Sequence, residues 1–286
     1  MKAITTLVAG LLLAATATVH AQSYMVRANG VVLTLDEKGF VYDLNQFVLP
    51  YMITVKGGMF YVTDKRVITT IDENGFFYRL DPKQYEAPRK VEHSGYNYFL
   101  EGNGTVWSFD RNGLPTIGER NWDYRKPLYV GGKFFVVKAK RDEPASLVIV
   151  NDRGTVNELR VKDLDASKIV KSGTNWFAAQ VRPAFSYQLY TLDADGKVHQ
   201  NPNLKAPAII GAKGGNFLEA DGELLTIDER GTIVSQGTMS RFGTISKIGH
   251  NYFLTQEGKL FVVDMNGTVI ERTGVVDLSN IALTTL

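Results

Sequence analysis

An Asp-x-x-Gly turn recurs along this chain at Asp36/Gly39, Asp72/Gly75, Asp110/Gly113, Asp193/Gly196, Asp228/Gly231 and Asp264/Gly267. A seventh copy keeps Gly154 and puts Asn151 in place of the acid. Successive spacings are 36, 38, 41, 42, 35 and 36 residues, averaging 38. A period of that size is the mark of one supersecondary unit stacked on copies of itself. Seven such units use up about 266 of the 286 residues, so no second domain is expected.

Each unit carries a second landmark about 15 residues before the turn: "GGMFYV" (57–62), "GYNYFL" (95–100), "GGKFFVV" (131–137), "GTNWFAA" (173–179), "GGNFLEA" (214–220) and "GHNYFL" (249–254). A Gly-led turn followed by adjacent aromatics opens a strand, because aromatic side chains suit a pleated, buried surface. Short, nearly continuous apolar runs such as "KLFVVD" follow, as expected of a strand buried on both faces. After the Asp-x-x-Gly turn comes one more strand. Each unit therefore reads as four strands, a to d, in unit 2 at about 51–56, 58–63, 66–72 and 75–80. Seven four-stranded units with little helical periodicity predict an all-β, seven-bladed β-propeller. An open solenoid would need polar capping repeats, and none is visible. The first unit starts at strand b, "SYMVRA" (23–28), whereas "IALTTL" (281–286) follows the last d strand. The C-terminal segment is thus expected to supply strand a of blade 1 and close the ring, removing two open sheet edges.

Residues 1–21 read as a cleavable leader: Lys2, an apolar run over 4–19, and small residues in "VHA" (19–21). The apolar run is shorter than the roughly 20 residues a membrane span needs. The expected domain is 22–286, periplasmic or secreted, monomeric and without a membrane span. There is no Cys, which removes disulfides, thiolate metal sites and a lipidated cysteine. The net charge of +2, or +1 once Lys2 leaves with the leader, gives no electrostatic case for nucleic acid or an anionic membrane.

An Asp opening a tight turn hydrogen-bonds the backbone two residues on, and the Gly supplies the positive φ. Thr34, Thr70, Ser108, Thr191 and Thr226 stand two residues before the acid or its equivalent, on the same strand face, where hydroxyl and carboxylate are expected to share the turn's amides. The repeated acid is therefore punctuation. This [ST]-x-D-x-x-G turn resembles the Asp-box of sialidase-type propellers with one extra residue, and "LYTLDADGKV" (189–198) is similar to the repeat of quinoprotein-like and outer-membrane-assembly propellers. The resemblance implies a propeller with a structural turn and carries no function with it. The strand-terminal Trp of quinoprotein-like repeats is missing and the sialidase arginine triad cannot be placed, so no cofactor is expected.

Other chemistry is sparse. His93, His199 and His250 fall in different blades and at different depths, which argues against a shared metal. "DADG" (193–196) offers two acids where calcium takes six to eight oxygens. No nucleophile elbow or phosphate loop occurs. The aromatic pairs Phe60/Tyr61 and Trp176/Phe177 are expected in the core between blades. Among the seven inner strands Glu92 is the single acid. A non-enzymatic scaffold binding a protein, cell-envelope or glycan partner is therefore favoured. The alternative is a lactonase-, lyase- or glycosidase-type enzyme acting at the central channel. The side of the disc carrying the a–b and c–d turns is monotonous. The side carrying the b–c and d–a connections varies, with "KAKRDEPAS" (138–146), "QVRPAFSYQ" (180–188) and "ERNWDYRKP" (119–127). Aromatic and Arg side chains on loops held by a rigid frame suit a binding hot spot. The candidate partner-binding residues are Trp122, Tyr124, Arg125, Lys140, Arg141, Arg182, Phe185 and Tyr187. No catalytic or metal-binding residue is assigned.

Overall fold

The computed structural model describes residues 23–28, 31–36, 40–48, 53–85, 88–138, 143–181, 186–201, 204, 206–272 and 281–284; for 43–48 and 282–284 the backbone alone is described. The expected leader, residues 1–21, lies outside them. The chain forms a seven-bladed β-propeller of antiparallel sheets. In six blades the strands follow the chain in order a-b-c-d. Blade 2 is typical, with strands Ile53–Lys56, Phe60–Thr63, Ile68–Ile71 and Phe77–Arg79, each within two residues of the sequence reading. In the remaining sheet Ile281–Thr284 pairs antiparallel with Ser23–Arg27, which is followed by Val31–Leu35 and Val41–Val48.

The b and c strands are buried on both faces, and successive residues serve different cores. Phe60 packs on Phe99 and Phe109 of blade 3, whereas Tyr61 turns the other way onto Tyr24 of blade 1. Trp176 faces blade 6 and Phe177 faces blade 4. The paired aromatics are therefore core, as read from sequence. Among the described residues seven hydrophobic clusters result, each between two consecutive blades, including one between blades 7 and 1 that joins Tyr252 and Leu254 to Met25 and Leu33.

The Asp turns are built alike. Asp72, Asp110, Asp228 and Asp264 accept through Oδ1 from the backbone N–H two residues on, at 2.9–3.0 Å, and from that four residues on, at 2.6–2.8 Å. Asn151 does the same with its amide oxygen. The second oxygen is capped from strand d where the residue six on can reach: Tyr42 on Asp36, Tyr78 on Asp72, His199 on Asp193. His199 is thereby accounted for as a turn partner.

The hydroxyl two residues earlier corrects the sequence reading. Instead of sharing its own turn's amides, in blades 3, 5 and 6 it donates to the turn glycine's carbonyl in the next blade: Ser108 to Gly154 at 2.6 Å, Thr191 to Gly231 at 2.5 Å, Thr226 to Gly267 at 2.6 Å. Thr70 instead donates within its own blade, to Tyr78 O at 3.4 Å. In blade 4, where Ile149 holds that position, Gly196 packs on its methyl group instead. The motif rivets blade to blade as well as closing a hairpin.

Candidate functional site

Two places collect functional side chains: the centre of the ring and the d–a loop of blade 3. At the centre, the Gly-led a–b turns of successive blades are laced by backbone hydrogen bonds: Gly58 N to Tyr96 O, Tyr96 N to Gly132 O, Gly132 N to Gly173 O, Thr174 N to Gly215 O and Gly215 N to His250 O, at 2.6–3.2 Å. The residue after the first glycine points inward. His250 of blade 7 stacks on Tyr96 of blade 3 with centroids 4.2 Å apart, and its Nδ1 lies 2.7 Å from Thr174 Oγ1 of blade 5. Blades 3, 5 and 7 are not neighbours, so these contacts cross the axis and plug it. Gly58 and Gly215 make the room, since a Cβ on either would stand 1.8 Å from the Tyr96 or His250 ring. Burial, with the Lys133 ammonium nearby, holds the His250 pKa well below the ordinary imidazole value. Lys133 is itself buried, ion-paired with Asp152 and set over the Tyr96 ring. These are structural interactions that close the centre.

Beside this plug opens a cavity of about 280 Å³ lined by the a–b turns of blades 3 to 6 together with Ser94, Tyr129, Ser172, Thr174 and Lys213. Desolvation first, and then the nearby Lys171, lower the Lys213 pKa. Its lining holds neither carboxylate nor imidazole, the groups that general acid–base chemistry uses most. Among the described residues no three His, Asp or Glu side chains are placed to hold a metal ion. Nor is any helix among them long and apolar enough to cross a membrane.

The d–a loop of blade 3 forms a short 3-10 turn, Trp122–Arg125. Asn121 caps it, accepting from Asp123 N at 3.0 Å. The b–c hairpin of the same blade holds it in place: Asn121 N donates to Gly104 O at 3.1 Å and Arg125 Nε to Gly102 O at 3.1 Å. Gly104 has φ +89°, and a Cβ there would meet Asn121 O at 2.0 Å, so this position requires glycine. Trp122 is 65% exposed, with the guanidinium of Arg125 4.9 Å and that of Arg120 5.9 Å from its ring centroid. It stands between two clefts. One, of about 340 Å³, is lined by Arg89, Lys90, Glu92, Glu101, Gly102, Asn103, Arg120 and Arg125; the other, of about 480 Å³, includes Glu119 and Asp123.

The candidate residues fall into three groups. Trp122 and Arg125 lie together on the surface, as expected. Tyr124 does not: its ring packs edge-on against Phe135, 5.0 Å away, in the core between blades 3 and 4, and burial raises its pKa. Three residues of a 3-10 turn span a full rotation, so one aromatic faces out while the other anchors inward. Tyr187 is half-buried on the core between blades 5 and 6, with Lys171 Nζ 5.3 Å from its ring centroid. Lys140, Arg141, Arg182 and Phe185 lie outside the described residues. Sequence reading missed Arg89, Lys90 and Arg120, which come from the approach to strand a and from the end of strand d. The adjacent basic pair "RK" (89–90) is the signal for the first two, and Arg120 stands within the quoted loop "ERNWDYRKP" (119–127) without being singled out.

The turn-bearing side is less uniform than its motif. The residue four after the acid is an exposed Phe40, Phe76 or Leu114 in blades 1 to 3, but Thr155, Lys197, Thr232 or Thr268 in the others.

No protein-family model matches this sequence, and no curated protein does. Among solved structures, virginiamycin B lyase from Staphylococcus aureus is similar at 12% identity over 87% of this chain and 92% of its own, with a TM-score of 0.30. A streptogramin B lyase is similar at 14% identity over 85% of this chain and 86% of its own, TM-score 0.30. PorZ, a surface component of the type-IX secretion system of Porphyromonas gingivalis, is similar at 11% identity over 90% of this chain and 40% of its own, TM-score 0.35. It is the seven sheets themselves that identify the propeller.

Proposed function

We propose that this protein is an exported, non-enzymatic propeller that binds a protein or cell-envelope component through the b–c and d–a side of its disc. The observation that carries this reading is Trp122, a large apolar side chain held out from a loop that is bolted at Asn121 and Arg125 to a rigid hairpin. An exposed Trp flanked by Arg on a fixed loop has the composition of an interface hot spot, and its fixed geometry lowers the entropy lost on binding. Export rests on the leader over 1–21, whose removal leaves Gln22 at the N-terminus of a periplasmic or secreted chain. In this reading Ile281–Thr284, paired with Ser23–Arg27, is the latch that closes the ring.

Protein immobilised as bait in cell-envelope extract tests the reading, with captured material identified by mass spectrometry. Replacing Trp122, Arg125 and Phe185 together by Ala is expected to weaken capture about tenfold or more, the effect of losing one or two hot-spot residues. Phe76→Ala, on the opposite side, leaves capture intact. Capture that survives the triple change and disappears with Phe76→Ala assigns the work to the other side.

A further inference from the structure

We propose that the 340 Å³ cleft beside Trp122 is a binding site for the carboxylates of an acidic peptide segment. This rests on the partner-binding reading above and names the chemistry of the partner's contact.

Four cations line the cleft, Arg89, Lys90, Arg120 and Arg125, against two acids, Glu92 and Glu101. Both acids are already engaged. Glu92 takes the Lys90 ammonium at 2.9 Å, which keeps its carboxyl below the ordinary range. Glu101 accepts from the Arg89 backbone N–H and from Asn103 Nδ2, each at 3.1 Å. The three guanidinium groups are not engaged in that way. Among the described residues, neither Arg89 nor Arg120 has an ion pair or a side-chain hydrogen bond to the protein, and Arg125 uses only Nε, on Gly102 O. Arg120 and Arg125 both line the cleft and stand over the indole, with guanidinium carbons 5.9 and 4.9 Å from its centroid, a contact that restrains them. A planar guanidinium matches a carboxylate with two parallel hydrogen bonds, and one restrained against an aromatic ring has less freedom to lose in making them.

Charge selects among oxyanions. Four cations less two acids leaves the lining at +2, which two monoanionic carboxylates would balance. A compact dianion such as phosphate would concentrate its charge beside Glu92 and Glu101. The exposed indole offers an apolar wall to the methylene groups of Glu side chains. The cleft lies at the small end of ligand sites, suited to a few side chains of an extended segment. On the other side of Trp122, Glu119 and Asp123 outweigh Arg120 in the lining and leave it at −1, which disfavours entry of an acidic segment from that side.

The test uses the full chain with hexaglutamate, hexaglutamine and inorganic phosphate as probes. Calorimetry reads binding, and acrylamide quenching of tryptophan reads location. Trp107 and Trp176 are 3% and 1% exposed, so the accessible fluorescence belongs to Trp122. Hexaglutamate is expected to bind, to shield Trp122 from acrylamide and to weaken as NaCl is raised. Hexaglutamine is expected not to bind. Replacing Arg89 and Arg120 together by Ala is expected to lower hexaglutamate affinity about tenfold or more, as loss of charge-assisted hydrogen bonds does. Replacing both by Lys restores part of the affinity, and the melting temperature checks that each variant is folded. Absence of hexaglutamate binding, or binding unchanged by the double Ala variant, overturns the proposal. So does competition by inorganic phosphate at concentrations equal to hexaglutamate. If hexaglutamate fails while the Trp122 variant still loses envelope capture, the ligand class is wrong and the scaffold reading stands. If hexaglutamate binds while capture is unaffected, the site is real and the scaffold reading falls.

Discussion

Thr191 carries its hydroxyl into the wall between blades 5 and 6, where it donates to Gly231 O at 2.5 Å and is buried. Valine has nearly the same shape and no donor. Thr191→Val is expected to destabilise the fold by about 1–3 kcal/mol, the penalty for a buried carbonyl left without its partner. Denaturant unfolding measures this; an unchanged midpoint would mean that the rivet contributes nothing. His250 makes a second residue-scale prediction, whose sign follows from its burial. In the unfolded chain its imidazole titrates near the ordinary 6.5, while in the folded chain desolvation and Lys133 hold it well below. As pH falls below about 6.5, the unfolded state gains a proton that the folded state does not take up. This contribution to stability is complete above that pH and declines below it, with a limiting slope of about 1.4 kcal/mol per pH unit. Melting temperatures between pH 7.5 and 5.5 should fall in the wild type and fall less in His250→Gln. Equal losses in the two proteins would place the titration elsewhere.

At the scale of elements, the blade 3 loop does two jobs with adjacent aromatics. Tyr124 plugs the core between blades 3 and 4 and locks the loop, whereas Trp122 faces water. Tyr124→Ala is expected to lower stability by about 2–4 kcal/mol through a lost core contact. Trp122→Ala is expected to stay within about 0.5 kcal/mol of wild type, as exposed substitutions do. Paired melting curves check both, and a reversed ranking would mean that the loop is seated differently. The inner strands show a second device. Strand a of blades 1, 2, 3, 5, 6 and 7 pairs with strand b through a register shift. Such bulges bend and twist the strand locally, and here they recur in the strand nearest the centre. They left no mark in the apolar pattern, because one unpaired residue disturbs neither composition nor period.

For the whole molecule, stability is shared among the interblade cores of the described residues, and in the proposed reading the ring is latched where Ile281–Thr284 pairs with Ser23–Arg27. Ile281 is buried in the core between blades 7 and 1, and Lys247 Nζ donates to its carbonyl. Removing residues 281–286 takes away the strand beside Ser23–Arg27 and leaves that backbone edge free. The truncated protein is expected to melt at lower temperature and to self-associate, since an unpaired edge templates strand addition. Light scattering and calorimetry decide this; a monomer with unchanged melting would show that the latch is dispensable.

The period of about 38 residues, the glycine turns and the apolar runs determined the blade number, the order of strands within a blade and the burial of the paired aromatics from the sequence alone. Those features are local, repeated seven times, and fixed by backbone conformation and burial at each copy. What the tertiary structure decided lies between copies. The Thr191 hydroxyl serves the next blade, 40 residues away, and His250 meets Thr174 across the axis, 76 residues away. Arg89, Arg120 and Arg125 reach one cleft from two different connections. The repeat places every side chain within its own blade, but which side chains of different blades meet depends on how the blades pack, a distance condition that no local pattern encodes.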